Sequence, residues 1–257
     1  MFALADHLLH PEGDALPRDV NAHTVTALLA SGIACRAPVS GAVYGTLLND
    51  RAALEALGEA MHATPYKAPP KAPILYLKPR NTFAGHRARV VVPDDALGVE
   101  VGASLGIVIG HIATRVSADQ ASDYIAGYTL VADLSVPHVS VYRPSVRFRA
   151  RDGFCVIGPA VVAARHIAAP DNLAITVSLP GREVFTANTA SSVRNVARLI
   201  ADVTDFMTLS AGDVITLGVP LGSPVAHIGE TATLSIGGLP PLEVSFVGAA
   251  EQDGEQQ

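Results

Sequence analysis

The sequence predicts a mixed α+β domain, mainly β, and three observations carry that expectation. Strand candidates with apolar or β-branched content and Gly or Pro borders follow one another closely, helices are few, and no regular strand-helix alternation appears. A length of 257 residues is compatible with one well-buried, strand-rich domain.

In chain order, the first forty residues mix His, Pro, Asp and Ala with weak periodicity. Residues 1–36 are expected to be an N-terminal extension with one helix near residues 25–29. From Asp50, the spacing of Leu54, Leu57 and Met61 fits one face of a helix that ends before the proline-rich "TPYKAPPKAP". Strands are expected at 74–77, 88–92, 105–109 and 128–132. A helix comes before the last of these, with Ser117 and Gln120 as a capping box and Ala121, Tyr124 and Ile125 as its buried face. Further strands are expected at 154–157, 173–179, 214–217, 232–236 and 242–246. Val193, Val196, Leu199, Ile200, Val203 and Phe206 recur at threes and fours, which predicts a helix over 192–207. The domain is expected to span 37–248, followed by a disordered polar tail over 249–257.

Composition excludes several functions. The net charge is -6 and cationic clusters are scarce, which argues against nucleic acid, whose binding draws on many Lys and Arg contacts. No apolar run approaches a membrane span, and the first residues lack the cationic start of a signal peptide. A cytoplasmic protein without a membrane partner is the expectation. Cys35 and Cys155 show no paired spacing and read as buried apolar residues. The lone H-x-x-H pair, His7 and His10, sits in the weakly patterned extension, and "GVPLG" lacks the Lys and Ser/Thr of a P-loop.

Within "GVEVGASLGIVIG" (98–110), Gly102-Ala-Ser104-Leu-Gly106 spells a nucleophile-elbow pattern. That elbow needs a strand, a sharp turn and a helix, whereas a strand-like run follows Ser104, so a packing role is favoured. "YRPSVRFRARDGFCVIGP" (142–159) gathers Arg143, Arg147, Arg149, Arg151 and Asp152. Such a set suits either a carboxylate ligand or a solvated, ion-paired face.

Together with "GYTLVADLS", "FMTLSAGDVITLGVPLG" and "IVIGHIATRVSADQASDYIAGY", that span resembles the fumarylacetoacetate hydrolase family. "TPYKAPPKAPILYLKPRNT" and "YRPSVRFRARDGF" resemble the N-terminal half or subunit of the family's decarboxylase/isomerase branch, which serves in the degradation of 4-hydroxyphenylacetate. The resemblance implies a mixed β-roll or barrel-like body with peripheral helices, usually dimeric. It also implies a divalent ion, normally magnesium, held by a Glu-x-Glu pair and an aspartate. That ion would polarise an α-keto acid as a Lewis acid. The implied substrates are an oxo-tricarboxylate and the hydroxy-dienedioate formed from it.

Carried over, the aspartate falls on Asp133, but the glutamates fall on Gly102 and Ser104. The family lysine falls on Arg149 and the threonine of the "GTP" turn on Val219. Glu100 shares an alternating strand face with 102 and 104, one or two positions early. By resemblance, Arg149 and Asp152 are the catalytic candidates. Lys78, Tyr142, Arg143 and Arg151 are the substrate-binding candidates, and Asp133 is a residual metal ligand. Two readings follow: an active decarboxylase/isomerase subunit, or a catalytically silent half supporting a metal-binding partner of the C-terminal type. Acylpyruvate hydrolysis is a third reading and needs the same ion. The expected partners are a small dicarboxylate or tricarboxylate and either a second copy or that related subunit.

Overall fold

The computed structural model describes residue 4 and residues 6–138 and 145–253. In chain order the strands are β1 His7–Leu9, β2 Arg18–Val20, β3 Val43–Leu47, β4 Ile74–Lys78, β5 Phe83–Ala84, β6 Ala88–Val91, β7 Val99–Ile109 and β8 Ile125–Ser135. They continue as β9 Cys155–Ala163, β10 Ala174–Ser178, β11 Phe185–Asn188, β12 Val214–Thr216, β13 Val225–Ala226, β14 Thr231–Ile236 and β15 Leu242–Val247. The α-helices are α1 Ala22–Ala30, α2 Arg51–Ala56, α3 Val146–Arg149, α4 Val196–Thr204 and α5 Ala249–Asp253.

The larger sheet runs β2-β1-β9-β8-β7-β12-β3-β4, with β13 added to β7 and β5 added to β9. The smaller runs β11-β10-β14-β15-β6. Neither closes on itself, so the body is two open sheets packed together and not a barrel. β10 and β14 lie against β7, and β15 lies against β9. Leu105, Leu130, Leu134, Leu199, Ile200, Leu234, Val244 and Phe246 share one buried cluster drawn from both sheets and α4. β14 and β15 alternate buried and more exposed positions, as strands with one wet face should. β7, β8 and β9 are buried along nearly their whole length because both of their faces are covered.

The sequence-based elements shift where tertiary pairing outweighs local pattern. Ser117 and Gln120 do meet, with Oγ to Oε1 at 2.9 Å, but only a 3-10 turn, Ala121–Tyr124, follows. From Ile125 the chain is claimed by β8, which pairs with β7 and β9 at once. The helix expected over 192–207 starts at Val196, because Asn49 O accepts the Val193 amide (2.7 Å) and holds the preceding residues extended. Asn195 then caps α4 by accepting from the Arg198 amide at 2.9 Å. Replacing Asn195 with alanine should cost about 1 kcal/mol, read as a lowered urea midpoint with an unchanged slope.

The N-terminal extension is more than one helix: β1 pairs antiparallel with β9 and with β2. In the tail expected to be disordered, Ala249–Asp253 forms a short helix, and 254–257 lie outside the described residues. No helix among the described residues is long and apolar enough to cross a membrane.

Candidate active site

The central pair β7–β8 sets the site. Gly102 stands directly opposite Asp133, Glu100 opposite Ser135 and Ser104 opposite Val131, so all six positions share one face. Asp133 projects from β8 with its side chain fully buried, and it meets groups from β4 and α3. The Tyr76 hydroxyl donates to its Oδ2, and the Lys78 ammonium stands 2.8 Å from Oδ1. The Arg149 guanidinium is 3.7 Å from Oδ1 and lies over the Tyr76 ring, 4.7 Å from its centroid.

Lys78 is as buried as its partner. Its ammonium donates to three carbonyls, Leu134 at 2.8 Å, Phe154 at 2.9 Å and Arg149 at 3.1 Å. An ammonium has three protons, so these bonds use them all and the contact with Oδ1 is one of charge without an aligned hydrogen bond. Burial alone would push the Asp133 carboxyl up. The charges of Lys78 and Arg149 outweigh it, with help from the Tyr76 hydroxyl, and hold the carboxyl below its ordinary range. Burial, then the negative Asp133, pushes the Tyr76 hydroxyl well above its usual value, so it stays a neutral donor.

The implied metal ligands do not fit. A Cβ on Gly102 would lie 2.6 and 2.7 Å from the two γ-carbons of Val219 and 2.8 Å from the Asp133 carbonyl. The space a glutamate would need is therefore filled. Ser104 is fully buried in the middle of β7; its hydroxyl donates to Gly218 O (2.7 Å) and accepts from Gly218 N–H (3.1 Å). It is neither a metal ligand nor a nucleophile on an elbow. Glu100 accepts from the Ser135 hydroxyl at 3.4 Å. Among the described residues no three His, Cys, Asp or Glu side chains converge on a metal position. One carboxylate already balanced by two cations is a poor host for a hard divalent ion.

Of the residues singled out in the sequence, Lys78, Asp133 and Arg149 come together. Arg151 pairs instead with Asp95 (2.9 and 3.0 Å) and donates to Arg147 O, while Asp152 accepts from Asn81 at 2.6 Å. Tyr142 and Arg143 lie outside the described residues. Tyr76 was missed, although it stands two positions before Lys78 on one strand and so faces the same way. A cavity of about 680 Å³ opens beside Tyr76 and Arg149, lined largely by apolar side chains including Leu75, Leu77, Val146 and Phe206.

Residues 42–247 match the profile of the fumarylacetoacetate (FAA) hydrolase C-terminal domain. The chain belongs to the fumarylacetoacetate hydrolase family. A 4-hydroxyphenylacetate degradation bifunctional isomerase/decarboxylase from Escherichia coli is 38% identical over 213 residues, which is 83% of this chain and 48% of that protein. The chain thus spans about half the length of the curated relatives it matches.

Among solved structures, a 5-carboxymethyl-2-hydroxymuconate delta-isomerase from Mycobacterium smegmatis superposes with a TM-score of 0.71 at 26% identity, covering 85% of this chain and 81% of that one. A fumarylpyruvate hydrolase from Pseudomonas aeruginosa, in complex with Mn2+ and pyruvate, shares the fold with a TM-score of 0.71 at 20% identity; the match covers 95% of this chain and 97% of that one. Family members are isomerase/decarboxylases and hydrolases, and a divalent ion occurs among them.

Proposed function

We propose that this chain is the metal-free half of a two-part cytoplasmic decarboxylase/isomerase of 4-hydroxyphenylacetate breakdown. The assembly acts on 5-oxopent-3-ene-1,2,5-tricarboxylate and then on 2-hydroxyhepta-2,4-dienedioate. A related partner of the C-terminal type carries the divalent ion, normally magnesium, and performs the carbon-carbon cleavage. The observation that supports this reading is the neutralisation of Asp133 by the chain's own Lys78 and Arg149, with Val219 filling the space beside Gly102.

The relative that the chain resembles over about half its length is bifunctional, which is the pattern for a two-part assembly. β4 is an edge strand, and Leu77 on it is 60% exposed beside Val146 and Phe206, which gives that partner an apolar seat.

The test uses the purified chain alone and mixed with a metal-bearing half. Alone, with millimolar magnesium or manganese, it should show no saturable ion binding by calorimetry and release no carbon dioxide from the tricarboxylate. Mixed, it should form a complex that does. Unaided, metal-dependent decarboxylation by the single chain would overturn the proposal and return Asp133 to the role of a ligand.

A further inference from the structure

A second cavity, of about 730 Å³, lies where the N-terminal extension meets the family body. One wall comes from residues before the family match and holds His10, Glu12 and Arg36. The other comes from the run that leads from β4 into β6 and holds Arg80, His86, Arg87 and Arg89. The walls are fastened to each other where Cys35 N–H donates to His86 O (3.2 Å), and within the first wall Arg36 N–H donates to His10 O (2.8 Å). Gly85 makes this closeness possible, since a Cβ there would lie 1.8 Å from Cys35 O.

The lining is strongly unbalanced in charge for a chain with an excess of acidic residues. Four guanidinium groups line the cavity with one carboxylate, Glu12; Arg89 has a partner of its own, so the excess of positive charge rests on Arg36 and Arg80. Arg87 is committed to Glu243 at 2.9 Å, and Arg80 reaches only a carbonyl, Ser40 O at 3.2 Å. Arg36 is exposed and has no side-chain partner among the described residues.

His86, only 4% exposed, accepts the Glu243 amide at Nδ1 (3.2 Å), which leaves Nε2 as the nitrogen that donates. Burial pushes its pKa down, so the ring is a neutral donor. Burial also pushes the Cys35 thiol up to about 11, so no thiolate balances these cations.

We propose that this cavity is a small-molecule anion site, separate from the Asp133 cluster, for a compact ligand with two or more carboxylate or phosphate oxyanions. Guanidinium forks match both groups in a two-pronged manner, and a buried imidazole N–H adds a directional donor. The extension then has a role of its own, because Arg36 and His10 are contributed by it. The proposal does not depend on which reaction the family body supports.

The test is calorimetry on the full chain with two probes, citrate and inorganic pyrophosphate, each followed by hydrogen-exchange mass spectrometry. At least one probe should bind saturably and slow exchange over residues 34–40 and 80–89; the tighter of the two identifies the carboxylate or the phosphate source. The double variant R36A/R80A alters two exposed side chains and so leaves the core intact. It should weaken that probe by about tenfold or more. Arg36→Glu should weaken it further. Absence of binding by both probes at millimolar concentration, unchanged affinity in R36A/R80A, or protection confined to the Tyr76 and Asp133 strands would each overturn the assignment.

Discussion

Lys78→Met is expected to cost the fold about 3–5 kcal/mol, read from urea unfolding of the variant against the parent. The lysine is fully buried against Asp133, and its three protons satisfy the Leu134, Phe154 and Arg149 carbonyls. Methionine fills the volume but leaves a buried carboxylate short of its nearest counter-charge. Adding Asp133→Asn should recover part of the loss by removing that charge, while the cost of three unanswered carbonyls remains. A double variant no more stable than Lys78→Met would show that the ion pair is not what the lysine contributes.

The pH dependence follows from the same contact. The folded Asp133 carboxyl is held below its unfolded value, so near pH 4 the unfolded chain binds more protons. Its contribution is complete above roughly pH 4 and is lost as pH falls through the folded value. In Lys78→Met burial acts against a weaker counter-charge, so the acid-side loss of stability should become shallower.

The second large effect concerns the empty ligand positions. G102E/S104E is expected to be destabilised without gaining an ion. The new side chain at 102 meets Val219 and the Asp133 carbonyl, and overpacking of that kind costs about 1–3 kcal/mol before a buried carboxylate is counted. G102E/S104E/V219A removes the Val219 γ-carbons and should bind manganese about tenfold or more tighter than the parent, measured by calorimetry. If the triple variant gained no affinity, the balance of Asp133 by Lys78 and Arg149 would be the stronger barrier. Steric closure by Val219 would then be secondary.

The loss of the glutamate pair could be read in the sequence because it needs only strand alternation and one aligned motif. The register that puts Gly102 opposite Asp133 carries it into space. The alternating β14 and β15 and the periodic α4 were legible for a similar reason: each is a local pattern with one buried face. What surrounds Asp133 was not legible. Lys78 reaches Asp133 on β8 from a strand 55 positions earlier, with β3, β12 and β7 between the two strands in the sheet order, and no local signal encodes that approach. Val219 looked like a single departure in a turn motif, and only the built β7 shows that it occupies the space Gly102 leaves. β1 and β2 were missed because strands of three residues are too short for a period to emerge.

The β1–β9 pairing also has a bearing on the solubility of the polypeptide. Leu9, Leu8 and His7 cover Ala160, Val161 and Val162, the far half of a strand that is buried along all nine of its residues. Trimming the chain to the limits of the family match would bare a flat, apolar strand margin whose amides and carbonyls are free to recruit another copy. The first strands are therefore expected to guard against self-association, and they lie outside residues 42–247 that match the family profile.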